Sequence, residues 1–160
     1  MTDHAADRTT DTGRRTPVQL AALTVGAVFL LVGALGFIPG VTTNFDQLTF
    51  AGHHSEAALL GIFNVSILHN IVHLLFGVEG LLMARTISAA RTYLIGGGFV
   101  YLALFVYGLL IDQNSAANFI PVNTADNFLH LGLGVAMIAL GAVLGRRAPV
   151  ATTTTTAGRA

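Results

Sequence analysis

The sequence predicts an all-α protein, a polytopic four-helix bundle in which every helix crosses a membrane. Three observations predict this class. First, 53% of the 160 residues are hydrophobic and only 10% are charged, whereas soluble domains average about 25% charged residues. Second, four long apolar segments alternate with polar ones. Third, all arginines fall on one side of the resulting four-span arrangement, which is the pattern of cytoplasmic loops.

Each apolar segment has a length suited to a membrane helix. The four spans are predicted at about residues 18–38, 57–84, 92–111 and 123–145. The 21 residues of the first span rise about 31 Å as a helix, and a bilayer core is about 30 Å thick. Pro39 and Gly40 end that span, and Ser55 and Glu56 are expected to begin the second one.

Arginine placement predicts the orientation. The chain has no lysine, and its eight arginines precede the first span, connect the second to the third, or follow the fourth: Arg8, Arg14, Arg15, Arg85, Arg91, Arg146, Arg147 and Arg159. By the positive-inside rule both termini are cytoplasmic, and the spans form two helical hairpins in tandem. Residues 1–16 and the threonine-rich residues 147–160 are expected to be flexible tails around a membrane domain of residues 17–146.

The first span has a competing interpretation as a cleavable signal, because Arg14 and Arg15 precede it. Its apolar run is longer than the usual signal core of about 7–15 residues. No clear small-x-small cleavage site follows it. We therefore expect the first span to be a membrane helix.

The motif N-x-x-H-L-x-x-G-V occurs twice, beginning at Asn70 and again, 57 residues later, at Asn127. Each copy places an amide and an imidazole one helical turn apart inside an apolar span. Such groups need protein partners or a function, because the bilayer core offers no water. We interpret Asn70, His73, Asn127 and His130 as a structural polar layer. In it, the two amide–imidazole pairs hydrogen-bond across a pseudo-twofold axis between the second and fourth helices.

Two alternatives use the same residues. In the first, His73 and His130 supply both axial ligands of a haem b, or His69 joins them in binding a transition metal. In the second, the histidines and Glu79 form a proton or substrate path. Glu79 precedes Arg85 by six residues, so an interfacial ion pair is the simpler expectation for it. The leading interpretation requires no cofactor.

Several classes of function are excluded or disfavoured by the sequence. The absence of cysteine excludes disulfides and thiolate metal sites. The glycine triplet 96–98 lies inside a span and is not a phosphate-binding loop. No nucleophile–base–acid constellation is visible, so we expect a non-enzymatic protein. Its expected partners are the lipid bilayer and, as an open alternative, further copies of itself or a larger membrane complex, with no nucleic acid.

Three stretches of the chain, 19–40, 68–81 and 117–141, contain most of the first span, both histidine motifs and the asparagine-rich segment before the fourth span. They resemble the bacterial membrane family called Domain of Unknown Function 4383, and the resemblance covers about residues 17–145. The resemblance implies four spans in the plasma membrane of a bacterium, most often an actinobacterium. It implies no reaction, substrate or cofactor.

Overall fold

The structure, a computed structural model, describes residues 14–145 and is mostly helical. Its four long helices are α1 (Pro17–Leu35), α2 (Ile67–Met83), α3 (Ile87–Leu110) and α4 (Thr124–Leu144). A small antiparallel sheet, which the sequence did not predict, adds the strands β1 (Thr42–Thr43), β2 (Ala58–Leu59) and β3 (Phe63–Asn64), and a 3-10 turn spans Phe45–Gln47. The predicted flexibility of the tails concerns mainly residues 1–13 and 146–160, which lie outside the described residues.

Three of the helices, α1, α3 and α4, are long enough and apolar enough to cross a membrane. Helix α2 is apolar but has only 17 residues, which corresponds to a rise of about 26 Å. The outward faces of the helices carry large apolar side chains, including Leu31, Leu75, Phe99 and Val143. A water-soluble protein rarely exposes so much contiguous apolar surface. The helices therefore fit a membrane protein.

The prediction of a helix over residues 57–84 is wrong for residues 57–66. The chain reverses at Leu60 and Gly61, whose φ angles of 55° and 70° are left-handed, and the flanking residues pair as β2 and β3. Ser66 then caps α2 by accepting a hydrogen bond from the backbone N–H of His69 at 3.1 Å. The apolar side chains of this segment pack against the end of α1 around Val32, which explains its hydrophobicity without a longer helix.

Helix α3 begins earlier than the sequence predicted. The side chain of Thr86 accepts a hydrogen bond from the N–H of Ala89 at 3.1 Å, so the helix starts at Ile87 and not near residue 92. Arg91 consequently lies on α3 as an exposed residue, where it was expected in the connection. Helix α1 is shorter than predicted, since the chain turns at Gly36.

The helices pack mainly in sequential pairs, α1 with α2 and α3 with α4. Glycines lie where the two helices of each pair approach each other most closely. A Cβ atom at Gly26 would lie 2.9 Å from the carbonyl oxygen of Gly77, and a Cβ atom at Gly98 would lie 2.8 Å from that of Gly134. Helix axes approach this closely only where side chains are absent. The Gln19 amide donates to the carbonyl of Ala84 at 3.1 Å, which places the start of α1 beside the end of α2.

Two connections, residues 36–66 and 111–123, cover the end of the helices that includes the end of α1 and the start of α2. We call these two connections the loop cap. The two connections are joined by backbone hydrogen bonding from Gly52 N–H to the Phe119 carbonyl at 2.6 Å. The Asn123 amide donates to the Ile62 carbonyl at 2.8 Å. The loop cap is therefore one assembled layer.

Candidate functional site

Four rings, one from each helix, meet below the loop cap. They are Phe29 of α1, His73 of α2, Tyr101 of α3 and His130 of α4, and we call them the ring cluster. The ring centroids of Phe29 and His73 are 5.4 Å apart, as are those of Tyr101 and His130, and both pairs are tilted by 53°. Phe29 and Tyr101 stack on each other at 5.4 Å and 20°. The two helix pairs thus meet at the ring cluster with matching geometry.

The hydrogen bonds predicted between the asparagines and histidines of the repeated motif are not formed among residues 14–145. Asn70 and Asn127 are buried. The Asn70 amide lies against Gly36, which directly follows α1, and the Asn127 amide lies against Gly108 of α3. Among residues 14–145, neither amide is hydrogen-bonded to an imidazole. Asn70 Nδ2 and Asn127 Oδ1 are buried atoms with no partner in that part of the chain. Glycine at each of these two positions leaves room for the amide, because a Cβ atom there would overlap it.

The three histidines of α2 and α4 lie close to one another. The rings of His69 and His73 are 4.5 Å apart, and His73 Nδ1 donates to the His69 carbonyl at 3.0 Å. His69 and His130 are 7% and 5% exposed, and the Nδ1 atom of each is buried without a partner among the described residues. No group of three histidine, aspartate or glutamate side chains in residues 14–145 has a geometry that could hold a metal ion. The predicted set His69, His73 and His130 is therefore adjacent without being arranged as a metal site.

Two cavities border these histidines. The larger, about 380 Å³, lies between α2 and α3 beneath the loop cap, and we call it the α2–α3 cavity. The smaller, about 220 Å³, lies between α1 and α4 and is bordered by Leu59, Leu60 and Phe63 of the loop cap. Both are lined by His69, His73, Tyr101 and His130. The histidines therefore separate two mostly apolar spaces.

The expected ion pair between Glu79 and Arg85 is not formed within the described part of the chain. Both side chains are exposed. Glu79 lines neither cavity and is on a different part of α2 from the histidines. The structure therefore does not link Glu79 to the histidines as one path.

Several residues that build the site were not singled out from the sequence. Phe29 and Tyr101 complete the ring cluster, yet they belong to helices with no copy of the repeated motif. Asn118 shapes the roof of the α2–α3 cavity, since its Oδ1 accepts from Val122 N–H at 3.0 Å and its amide donates to the Val122 carbonyl at 3.0 Å. The Asn-Pro-Asn composition of this segment was the available signal, because such residues form compact turns.

Comparison with known proteins identifies the family but no activity. The family model described as Domain of unknown function (DUF4383) matches residues 19–143. The chain belongs to the DUF4383 family. No curated protein and no solved structure matches it. The match includes nearly all of the four helices and the whole loop cap, so the ring cluster and both cavities of this DUF4383 protein lie inside the family domain.

Proposed function

We propose that this DUF4383 protein is a non-enzymatic, four-span protein of the bacterial plasma membrane that binds a small, mostly apolar molecule in the α2–α3 cavity. One observation carries the proposal: between α2 and α3 lies a cavity of about 380 Å³ whose wall is apolar apart from three histidines and two tyrosines. Ligand cavities typically measure about 300–1,000 Å³ and combine an apolar wall with a few polar groups. The α2–α3 cavity has this size and this composition.

We also propose that two related helical hairpins, α1–α2 and α3–α4, together form the site. The matching distances and tilts of the two halves of the ring cluster support it. So do the glycine pairs Gly26–Gly77 and Gly98–Gly134, which lie at corresponding crossings. Two parallel repeats are related by an axis along the membrane normal, and membrane binding sites commonly lie at the interface between such repeats.

The proposed orientation predicts the labelling of single cysteines introduced into this cysteine-free chain. Ser88 and Asn114 are both exposed, at the arginine end of the helices and in the loop cap respectively. In right-side-out vesicles, an impermeant maleimide is expected to label Asn114→Cys, and to label Ser88→Cys only after detergent is added. Labelling of Ser88→Cys in sealed vesicles would overturn the cytoplasmic placement of both termini.

A bound molecule is expected to be recovered with the purified protein. Ala103 is an exposed residue of α3 that lines the α2–α3 cavity, so Ala103→Trp should fill the cavity from its open side. Organic extracts of protein in native-lipid nanodiscs should contain a molecule enriched over bulk membrane, and Ala103→Trp should lose it. Ala139→Trp is the matched control, since Ala139 is exposed on α4 and lines neither cavity.

The same preparation tests the other proposals. If the wild type and Ala103→Trp yield identical extracts, the binding role is wrong. An absorbance scan and metal analysis address the alternative of haem b or a transition metal at His73 and His130: a Soret band or stoichiometric metal would replace the organic ligand. Native mass spectrometry of the nanodiscs reports whether the protein assembles with copies of itself or in a larger complex.

A further inference from the structure

The turn between β2 and β3 carries two large apolar side chains that remain largely exposed. Leu60 is 62% exposed and Ile62 is 53% exposed, and Gly61 between them is exposed as well. Turns between paired strands usually carry glycine, asparagine or aspartate instead. The small apolar core of the loop cap accounts for the buried neighbours Leu59 and Val65. It does not account for the two exposed side chains.

Leu60 also has a backbone conformation that does not suit its residue type. Its φ angle of 55° lies in the left-handed region, which glycine and asparagine adopt more readily than leucine. A glycine would form the same turn with less strain. A leucine at this position indicates that its apolar side chain has a use beyond forming the turn.

Hydrogen bonds hold this turn level with the first residues of α4. The backbone N–H of Asn64 donates to Asp126 Oδ2 at 3.1 Å, and the Asn123 amide donates to the Ile62 carbonyl at 2.8 Å. The 21 residues of α4 rise about 31 Å, and a bilayer core is about 30 Å thick. If α4 spans the bilayer as proposed, the turn lies at the boundary between acyl chains and head groups, in the leaflet on the side of the loop cap.

The backbone donors of the turn are paired within the protein. The N–H of Leu60 donates to the Val41 carbonyl at 2.9 Å. The N–H of Ile62 donates to the Leu59 carbonyl at 3.1 Å, and that of Gly61 is bonded inside the hairpin as well. An unpaired N–H is costly where lipid replaces water. Residues 57–63 also contain no charged side chain, so the turn can contact lipid without exposing a charge or any of these three donors.

A second pair of apolar rings is exposed beside the other gap between the helix pairs. Phe50 and Phe119 are 64% and 53% exposed. Phe119 borders the α2–α3 cavity, whereas Leu60 borders the cavity between α1 and α4. The Phe50 carbonyl accepts a hydrogen bond from the N–H of Leu68, in the first turn of α2, at 2.9 Å. The loop cap therefore presents exposed apolar side chains beside both gaps, at the level of the helix ends.

The apolar surface continues from the helices into the loop cap. The helix ends next to the loop cap expose Leu31 of α1, Leu110 of α3 and Phe128 of α4. These residues belong to the outward helix faces that fit a membrane. Lipid that covers the helix ends would therefore also meet the exposed residues of the loop cap, which favours lipid over a protein partner for this surface.

We infer that the loop cap itself binds the lipid bilayer through Leu60 and Ile62 beside one gap and through Phe50 and Phe119 beside the other. We call these four residues the lipid rim. Their side chains insert among the acyl chains next to the head groups, where burial removes apolar area from water. The inference rests on the membrane placement in the proposed function, but it does not depend on which leaflet faces the cytoplasm.

The chain contains no tryptophan, so a single introduced tryptophan reports the surroundings of one position. Ile62→Trp is reconstituted in phosphatidylcholine vesicles whose acyl chains are brominated either near the head group or near the methyl end. Bromines near the head group should quench most of its fluorescence, and those near the methyl end should quench less. Iodide on both sides of the membrane should have little effect. Leu60→Trp and Phe119→Trp should behave in the same way and serve if Ile62→Trp does not fold.

Two further variants are the controls. Asn114 is an exposed polar residue of the loop cap, so iodide should quench Asn114→Trp and brominated lipid should not. Phe99 is exposed near the middle of α3, so bromines near the methyl end should quench Phe99→Trp most strongly.

The outcomes separate this inference from the proposed function. If iodide quenches the three lipid-rim variants and brominated lipids do not, the loop cap faces water and the inference is wrong. If neither quencher acts on them, protein such as a second copy of the chain covers the lipid rim, and the inference is again wrong. If brominated lipid quenches Phe99→Trp but none of the lipid-rim variants, the membrane placement stands and only the lipid contact of the loop cap fails. If Phe99→Trp also escapes brominated lipid, the membrane placement itself is wrong.

Discussion

Gly98→Ala is expected to force α3 away from α4 and to lower the free energy of unfolding by about 1–3 kcal/mol, the usual cost of overpacking a close contact. The added Cβ atom would lie 2.6 Å from Ile138 Cγ1 and 2.8 Å from the carbonyl oxygen of Gly134. The second of these neighbours is backbone, so the clash is relieved only by separating the helices. Thermal unfolding in detergent, followed by circular dichroism, measures the effect.

Gly96→Ala is the matched control, with the same substitution two positions earlier on the same helix. A Cβ atom at Gly96 has no neighbour within 4 Å in the described structure, and alanine favours a helix over glycine by up to about 1 kcal/mol. Gly96→Ala should therefore leave Tm unchanged or raise it. Equal Tm values for the two variants would contradict the close α3–α4 contact.

Asp126→Ala is expected to loosen the loop cap and to destabilise the protein by about 2 kcal/mol, because it leaves two partly buried backbone donors without their acceptor. Asp126 is 2% exposed. Its Oδ2 accepts from the backbone N–H of Asn123 at 2.9 Å and from that of Asn64 at 3.1 Å. One carboxylate therefore caps α4 and ties β3 to it. Amide hydrogen exchange of residues 58–64 should accelerate together with the loss of stability.

Two further variants make the Asp126 result specific. Asp126→Asn retains a side-chain oxygen and should preserve part of the stability. Asp112→Ala removes an exposed carboxylate that, among residues 14–145, accepts a hydrogen bond only from the backbone N–H of Asn114 at 2.9 Å. It should change stability by less than about 1 kcal/mol. If Asp112→Ala and Asp126→Ala behave alike, Asp126 does not join the loop cap to the helices.

Part of the site could be predicted from the sequence. Of the four polar residues in the repeated motif, Asn70, Asn127 and His130 are buried in the structure and His73 is partly buried. Amides and imidazoles are recognisable in an apolar helix from the sequence alone. The partners of those residues were not predictable. A motif places side chains on one face of its own helix, whereas the neighbour of that face depends on how closely another helix approaches. Here Gly36 and Gly108 lack the Cβ atom that would overlap each amide, so the two asparagine amides lie against these glycines.

The error at residues 57–66 has a different cause. An apolar run has the same hydropathy whether it spans lipid or packs on other protein, so composition cannot tell a longer helix from a small sheet. The small sheet forms because the chain reverses direction at Leu60 and Gly61, which have left-handed backbone conformations. Helix α2 begins only after Ser66, whose side chain caps it.

By itself, the sequence determined the mostly helical, apolar class of this protein and the two places where polarity is buried, because hydropathy and spacing are properties of the chain alone. The tertiary structure decided which residues the two copies of the repeated motif contact. Bringing Phe29, His73, Tyr101 and His130 together takes one residue from each of four helices, and contacts between helices depend on packing that no local pattern encodes.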